Sequence, residues 1–114
     1  MEIATIQNLA AEWHAAAQKV IEFENPGFLE LRQLLAKTYE VLCEYKDSPL
    51  VPKEISALLL EMQDFSWWVG DLEGTPLHPR FREISSAIFD LFTYFLSGGI
   101  DPESIRITID QIAE

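Results

Sequence analysis

Ile3, Ile6, Ala10, Trp13, Ala17 and Val20 recur at alternating intervals of three and four residues. That spacing follows the 3.6-residue turn of an α-helix and lays one apolar stripe along it. A strand cannot use it, because side chains on a strand alternate between two faces. The pattern returns along nearly the whole chain, which confines the fold to the all-α class. The first stripe predicts a helix over about residues 3–24. Ala15, Ala16 and Ala17 raise its helix propensity and permit a neighbour to approach closely.

Glycine and proline divide the rest. Asn25-Pro26-Gly27 is expected to end the first helix and start the second, with Asn25 as cap and Pro26 at the first helical position. A second helix over about 27–46 then carries Phe28, Leu31, Leu35, Leu42 and Tyr45, broadened by Leu34, Tyr39 and Cys43. Asp47-Ser48-Pro49 stops it, and Pro52 opens a third helix over about 53–69. Ile55, Leu58, Leu59, Met62, Phe65 and Val69 form its inward set. Residues 70–79 hold Gly70, Gly74, Pro76 and Pro79 and read as the main loop. A fourth helix starts near Pro79, with Ile84, Ala87, Ile88, Leu91, Phe92 and Phe95 inward, and Ser97-Gly98-Gly99 closes it.

Asp101-Pro102-Glu103 is a good start for a short fifth helix, with acids in its first turn. Ile105, Ile107 and Ile109 alternate with polar residues there, which is a strand signature. We read a helix, because no other segment offers a strand partner. The expectation is an antiparallel bundle of four main helices with a short fifth C-terminal helix, one domain over residues 1–114. The short connections at 25–27 and 47–52 would make consecutive helices antiparallel neighbours. Cys43, with no second cysteine, excludes an internal disulfide and reads as a small core residue in a reducing compartment. The N-terminal stretch lacks the basic start and apolar run of a signal peptide, and no segment is long and apolar enough to span a bilayer. A cytoplasmic monomer or weak dimer is expected.

Nineteen acids stand against eight bases, for a net charge of −11. That balance disfavours nucleic acid and anionic lipid as partners. The imbalance is concentrated. From Glu54 to Pro79 there is no Lys or Arg, while Glu54, Glu61, Asp64, Asp71 and Glu73 fall in the same stretch beside Trp67-Trp68. Adjacent helical residues point about 100° apart, so the inward stripe can bury one tryptophan more readily than both. The surface around Glu61, Asp64, Trp68, Asp71 and Glu73, with Trp67 beside it, is the candidate site for a basic protein partner. Acids would steer the encounter and a tryptophan, taken as Trp68, would anchor it.

Other chemistries lack their residues. His14 lies off the apolar stripe and reads as a surface histidine; no Glu-x-x-His or His-x-x-x-His spacing offers metal ligands. Asp71-Leu72-Glu73-Gly74 resembles part of a calcium loop but lacks the later oxygen ligands and the closing Glu. There is no nucleophile elbow and no phosphate loop. Glu61 and Asp64 lie one turn apart, as an acid–base pair could, but on an acidic helix they read as solvated. His78, Arg80 and Arg82 are candidate anion-binding residues, since bases at a helix start oppose the dipole and call for a counter-group. Ion pairs with Asp71, Glu73 or Glu83 would serve as well. No enzyme, metal or cofactor is expected. The leading expectation is an acidic protein that neutralises or escorts a basic partner, most concretely an immunity- or antitoxin-like inhibitor. Toxins that attack nucleic acids need basic clefts, which favours acidic inhibitors. The alternatives are a nucleic-acid mimic that blocks a DNA-binding protein, and a small-ligand-binding bundle with a pocket near Trp13, His78 and the arginines.

Overall fold

The computed structural model of the chain describes residues 2–76 and 78–112. Among these the chain forms α1 (Ile3–Ile21), α2 (Phe28–Tyr45), α3 (Lys53–Val69), a single 3-10 turn (Gly70–Leu72), α4 (His78–Ser97) and α5 (Pro102–Asp110), with no strand. The all-α bundle is therefore as expected. None of these helices is long and apolar enough to cross a membrane.

Several ends differ from expectation for local reasons. Helix α1 stops at Ile21 because Phe23 turns left-handed, with φ 59°. The Phe23 N–H then donates to Val20 O and the Glu24 N–H to Lys19 O, closing the carbonyls that the helix leaves open. Pro26 does not open α2. Asn25 Oδ1 instead accepts from the Gly27 N–H at 2.7 Å, and Gly27 takes φ 98°, so the helix begins at Phe28. At the far end of α4, Gly98 has φ 71° and its N–H reaches both Thr93 O and Tyr94 O. The conflict in α5 is resolved as helix. Asp101 caps it by accepting from the Glu103 N–H, and Ile105 and Ile109 are buried while Ile107 faces solvent.

Helix α1 packs most extensively on α3, α3 on α4, α4 on α2, and α2 back on α1; α5 lies against α2 and α4. The helices α2 and α3, consecutive in sequence, are not close neighbours. Connection length alone did not reveal this, since residues 46–52 are long enough to cross the end of the bundle. Ala16 and Ala17 are both buried on α1. The inward phase of α1 runs through Ile6, Leu9, Trp13, Ala16, Ala17 and Val20; Ile3 and Ala10, placed on the expected stripe, are exposed and half-buried.

An aromatic chain runs through the core. Trp13 meets Phe65 edge-on at 5.3 Å, Phe65 meets Phe81 at 6.4 Å, and Phe81 meets Phe28 at 4.9 Å between ring centres. Such offset and edge contacts favour the ring quadrupoles beyond simple area burial. Phe81 is fully buried although two arginines flank it in sequence. Cys43 is only half-buried, not core, and its side chain lies beside both Tyr39 and Tyr94.

Candidate functional site

Helix α3 is held from one side. Ile55, Leu58, Met62, Phe65 and Val69 face inward and fix its rotation. The opposite side must then point to solvent, and it carries Leu60, Asp64 and Trp67. Trp67 is 74% exposed, whereas Trp68 is half-buried and packed against the core. Of the pair, Trp67 and not Trp68 is the more exposed. The helical phase explains the difference, since Trp68 lies three residues past the buried Phe65 and shares its side of the helix, and Trp67 does not.

The carboxylates separate into two groups. Asp64, Asp71 and Glu73 are exposed. Glu61 is partly covered and its Oε2 lies 3.1 Å from His14 Nδ1, which ties α3 to α1 across the surface. His14 is exposed, as read from sequence. An exposed pair of this kind adds little stability, but it orients Glu61. The segment after α3 is more ordered than the loop expected there. Leu72 is buried and plugs the 3-10 turn into the core. Thr75 donates to Leu72 O through both its N–H and its hydroxyl, and Gly74 takes φ 90° to turn the chain. Asp71 and Glu73 flank the buried Leu72 and are held outward beside the end of α3.

Leu60, Gln63, Asp64, Ser66 and Trp67 together line a shallow, open depression on α3. Leu60, 66% exposed, was not among the expected site residues. It is hidden in the run Leu58-Leu59-Leu60, yet it stands seven residues before Trp67, two helical turns away on the same face.

The three candidate anion-binding residues differ in exposure and surroundings. His78 is half-buried, Arg82 is exposed, and the Arg80 guanidinium lies over the Phe28 ring at 3.7 Å. That cation–π contact caps the surface end of the aromatic chain. Trp13 presents no accessible surface to a ligand either. It is fully buried, and its Nε1–H donates to Thr38 Oγ1 at 3.0 Å. A second, more enclosed concavity lies elsewhere, a groove of about 310 Å³ between α1 and α2. Its rim mixes Glu12, Lys19, Glu30 and Lys37, so it selects no single sign of charge. Among the described residues no group of three or more His, Cys, Asp or Glu is placed to hold a metal ion.

One titration is strongly displaced away from this face. Burial and the Cys43 thiol beside it push the Tyr39 hydroxyl up to about 12. That hydroxyl donates to Pro102 O at 3.0 Å and so links α2 to the start of α5. Tyr94 is raised by the same two causes.

Compared with known protein families, with curated proteins and with solved structures, the chain matches none.

Proposed function

We propose that this chain is a binding protein, not an enzyme, that neutralises or escorts a basic partner protein, most concretely as an immunity- or antitoxin-like inhibitor in the cytoplasm. One observation carries the reading: Trp67 stands 74% exposed beside Asp64, with Asp71 and Glu73 exposed just beyond, in a stretch without Lys or Arg. A tryptophan in water is an unused apolar surface, and interfaces draw much of their energy from such residues. Carboxylates around it raise the encounter rate with a cationic surface and repel an anionic one. The two effects are separable. Steering acts on association and weakens with salt, whereas the desolvated anchor acts on dissociation.

The experiment follows from that division. The partner is captured from the source cell by cross-linking and identified by mass spectrometry. Binding kinetics are then measured at two salt concentrations. Asp64→Lys combined with Asp71→Lys should slow association and flatten its salt dependence. Trp67→Ala should chiefly speed dissociation, costing about 2 kcal/mol or more if it is a hot spot. If both variants fold and bind like the parent, the reading is wrong.

A further inference from the structure

Resting on the basic-partner reading, we propose that the exposed face of α3 receives a cationic amphipathic α-helix of the partner. Leu60 and Trp67 are the anchors on this side, and they stand 66% and 74% exposed. They are seven residues apart, which places them about 10.5 Å apart along the axis and about 20° apart around it. Asp64, exposed between them in sequence, lies about 40° to one side of Leu60 and so flanks that line. A partner helix repeats its own i and i+7 side chains at that same interval, so two apolar residues of one helix can meet Leu60 and Trp67 along a single seam. An extended segment has no equivalent footing. The backbone N–H and C=O groups of α3 are used within the helix, so no strand edge is offered for pairing.

Charge selects which helix this is. Asp64 flanks the seam, with Asp71 and Glu73 beyond its end, and no Lys or Arg lies between Glu54 and Pro79. Lysine or arginine flanking the partner's apolar stripe would meet these groups. A second copy of this chain would not. A two-fold contact through α3 would set the same carboxylates against themselves, in a molecule already carrying −11. The receiving face is preorganised, because Leu58, Met62 and Phe65 on the opposite side of α3 are fully buried. Little ordering on this side opposes binding.

The probe is a synthetic peptide of about 18 residues with leucines at helical spacing, flanked by lysine and arginine. Its control has the same composition with two prolines at its centre, which break the helix. Binding to the full chain is measured by calorimetry at low and at physiological salt, with far-UV circular dichroism recording any gain of helix. The helical peptide should bind saturably with added ellipticity, and the proline control at least about tenfold more weakly. Leu60→Ala and Trp67→Ala, both outside the core, should each weaken binding by about tenfold or more. Leu50→Ala removes an equally exposed apolar residue, 82% in solvent between α2 and α3, and should change nothing. Equal binding by the two peptides overturns helical recognition while leaving the basic-partner reading intact. A loss at Leu50 matching that at Leu60 also overturns it, since the contact is then unspecific. If neither cationic peptide binds even at low salt, both readings fall.

Discussion

Thr38→Val tests the least apolar contact in the core. Thr38 is fully buried, and its hydroxyl accepts from Trp13 Nε1–H at 3.0 Å while donating to Leu34 O at 2.8 Å. Valine has nearly the same shape and a similar helix propensity, so neither packing nor α2 should suffer. The Leu34 carbonyl keeps its helical bond from the residue 38 N–H and loses little. The indole N–H, fully enclosed, loses its acceptor. A stranded buried donor costs about 1–3 kcal/mol, and the extra buried methyl returns up to about 0.8 kcal/mol. The net expectation is a loss of about 1–2 kcal/mol. For a chain of this length the unfolding entropy converts that into a fall of about 4–8 °C in Tm.

The assay is urea and thermal unfolding of a double-mutant cycle. Trp13→Phe removes the donor and leaves the Thr38 hydroxyl still satisfied by Leu34 O. Thr38→Val added to Trp13→Phe should therefore cost under about 0.5 kcal/mol, giving a coupling of about 1 kcal/mol or more. An equal cost of Thr38→Val in both backgrounds would falsify the hydrogen-bond account.

Two more outcomes follow from the described geometry. Gly27→Ala and Gly74→Ala should each cost about 1–2 kcal/mol from their positive φ in the same urea titration; the Cβ added at Gly27 meets only the far end of the exposed Glu30 side chain, which can swing aside, so the two losses should be similar. Tyr39 ionises at about 10 when unfolded and about 12 when folded, so in that window the native chain holds a proton the unfolded chain has lost. The stability this contributes is complete below about pH 10 and drains as pH rises toward 12. Tyr39→Phe should be less stable than the parent at pH 8, having lost the bond to Pro102 O, and the gap should narrow by pH 12; melting curves with a constant gap would contradict this.

The helices were legible because apolar spacing is a local property. Pro52 and Asp101 marked starts to within a residue for the same reason. What escaped was set by contacts between segments. Phe81 sits between two arginines, and only the folded chain shows Phe28 and Phe65 waiting on either side of it. The contact of α1 with α3 instead of a ring in sequence order depends on which side residues 46–52 cross, and composition is silent on that. The exposed tryptophan is a different case. The inward stripe through Phe65 and Val69 already placed Trp68 nearer the core than Trp67, so the phase was there to be read. Leu60 could have been found from the same wheel. The acidic stretch was visible at once, but the buried Leu72, which fixes where Asp71 and Glu73 point, was not.

The charges around this face run against local helix energetics. The C-terminal end of α3 carries the negative end of its dipole, and its last turn holds no base. Asp64, Asp71 and Glu73 nevertheless crowd that end. The first turn of α4 shows the opposite misplacement, with Arg80 in it, Arg82 just past it and no acid present. Each such charge costs about 0.3–1 kcal/mol near a helix end. At α4 the arginine over Phe28 supplies an internal answer, because the guanidinium gains the ring face. Among the described residues at α3, Glu61 has such an answer in His14, and it lies two turns back from the helix end. Places where a fold breaks its own local rules without an internal counterpart are where function is expected to reside. A cationic helix laid along Leu60 and Trp67 would bring the missing positive charge to the negative end of α3. It would relieve the misplacement and cover the tryptophan in one contact.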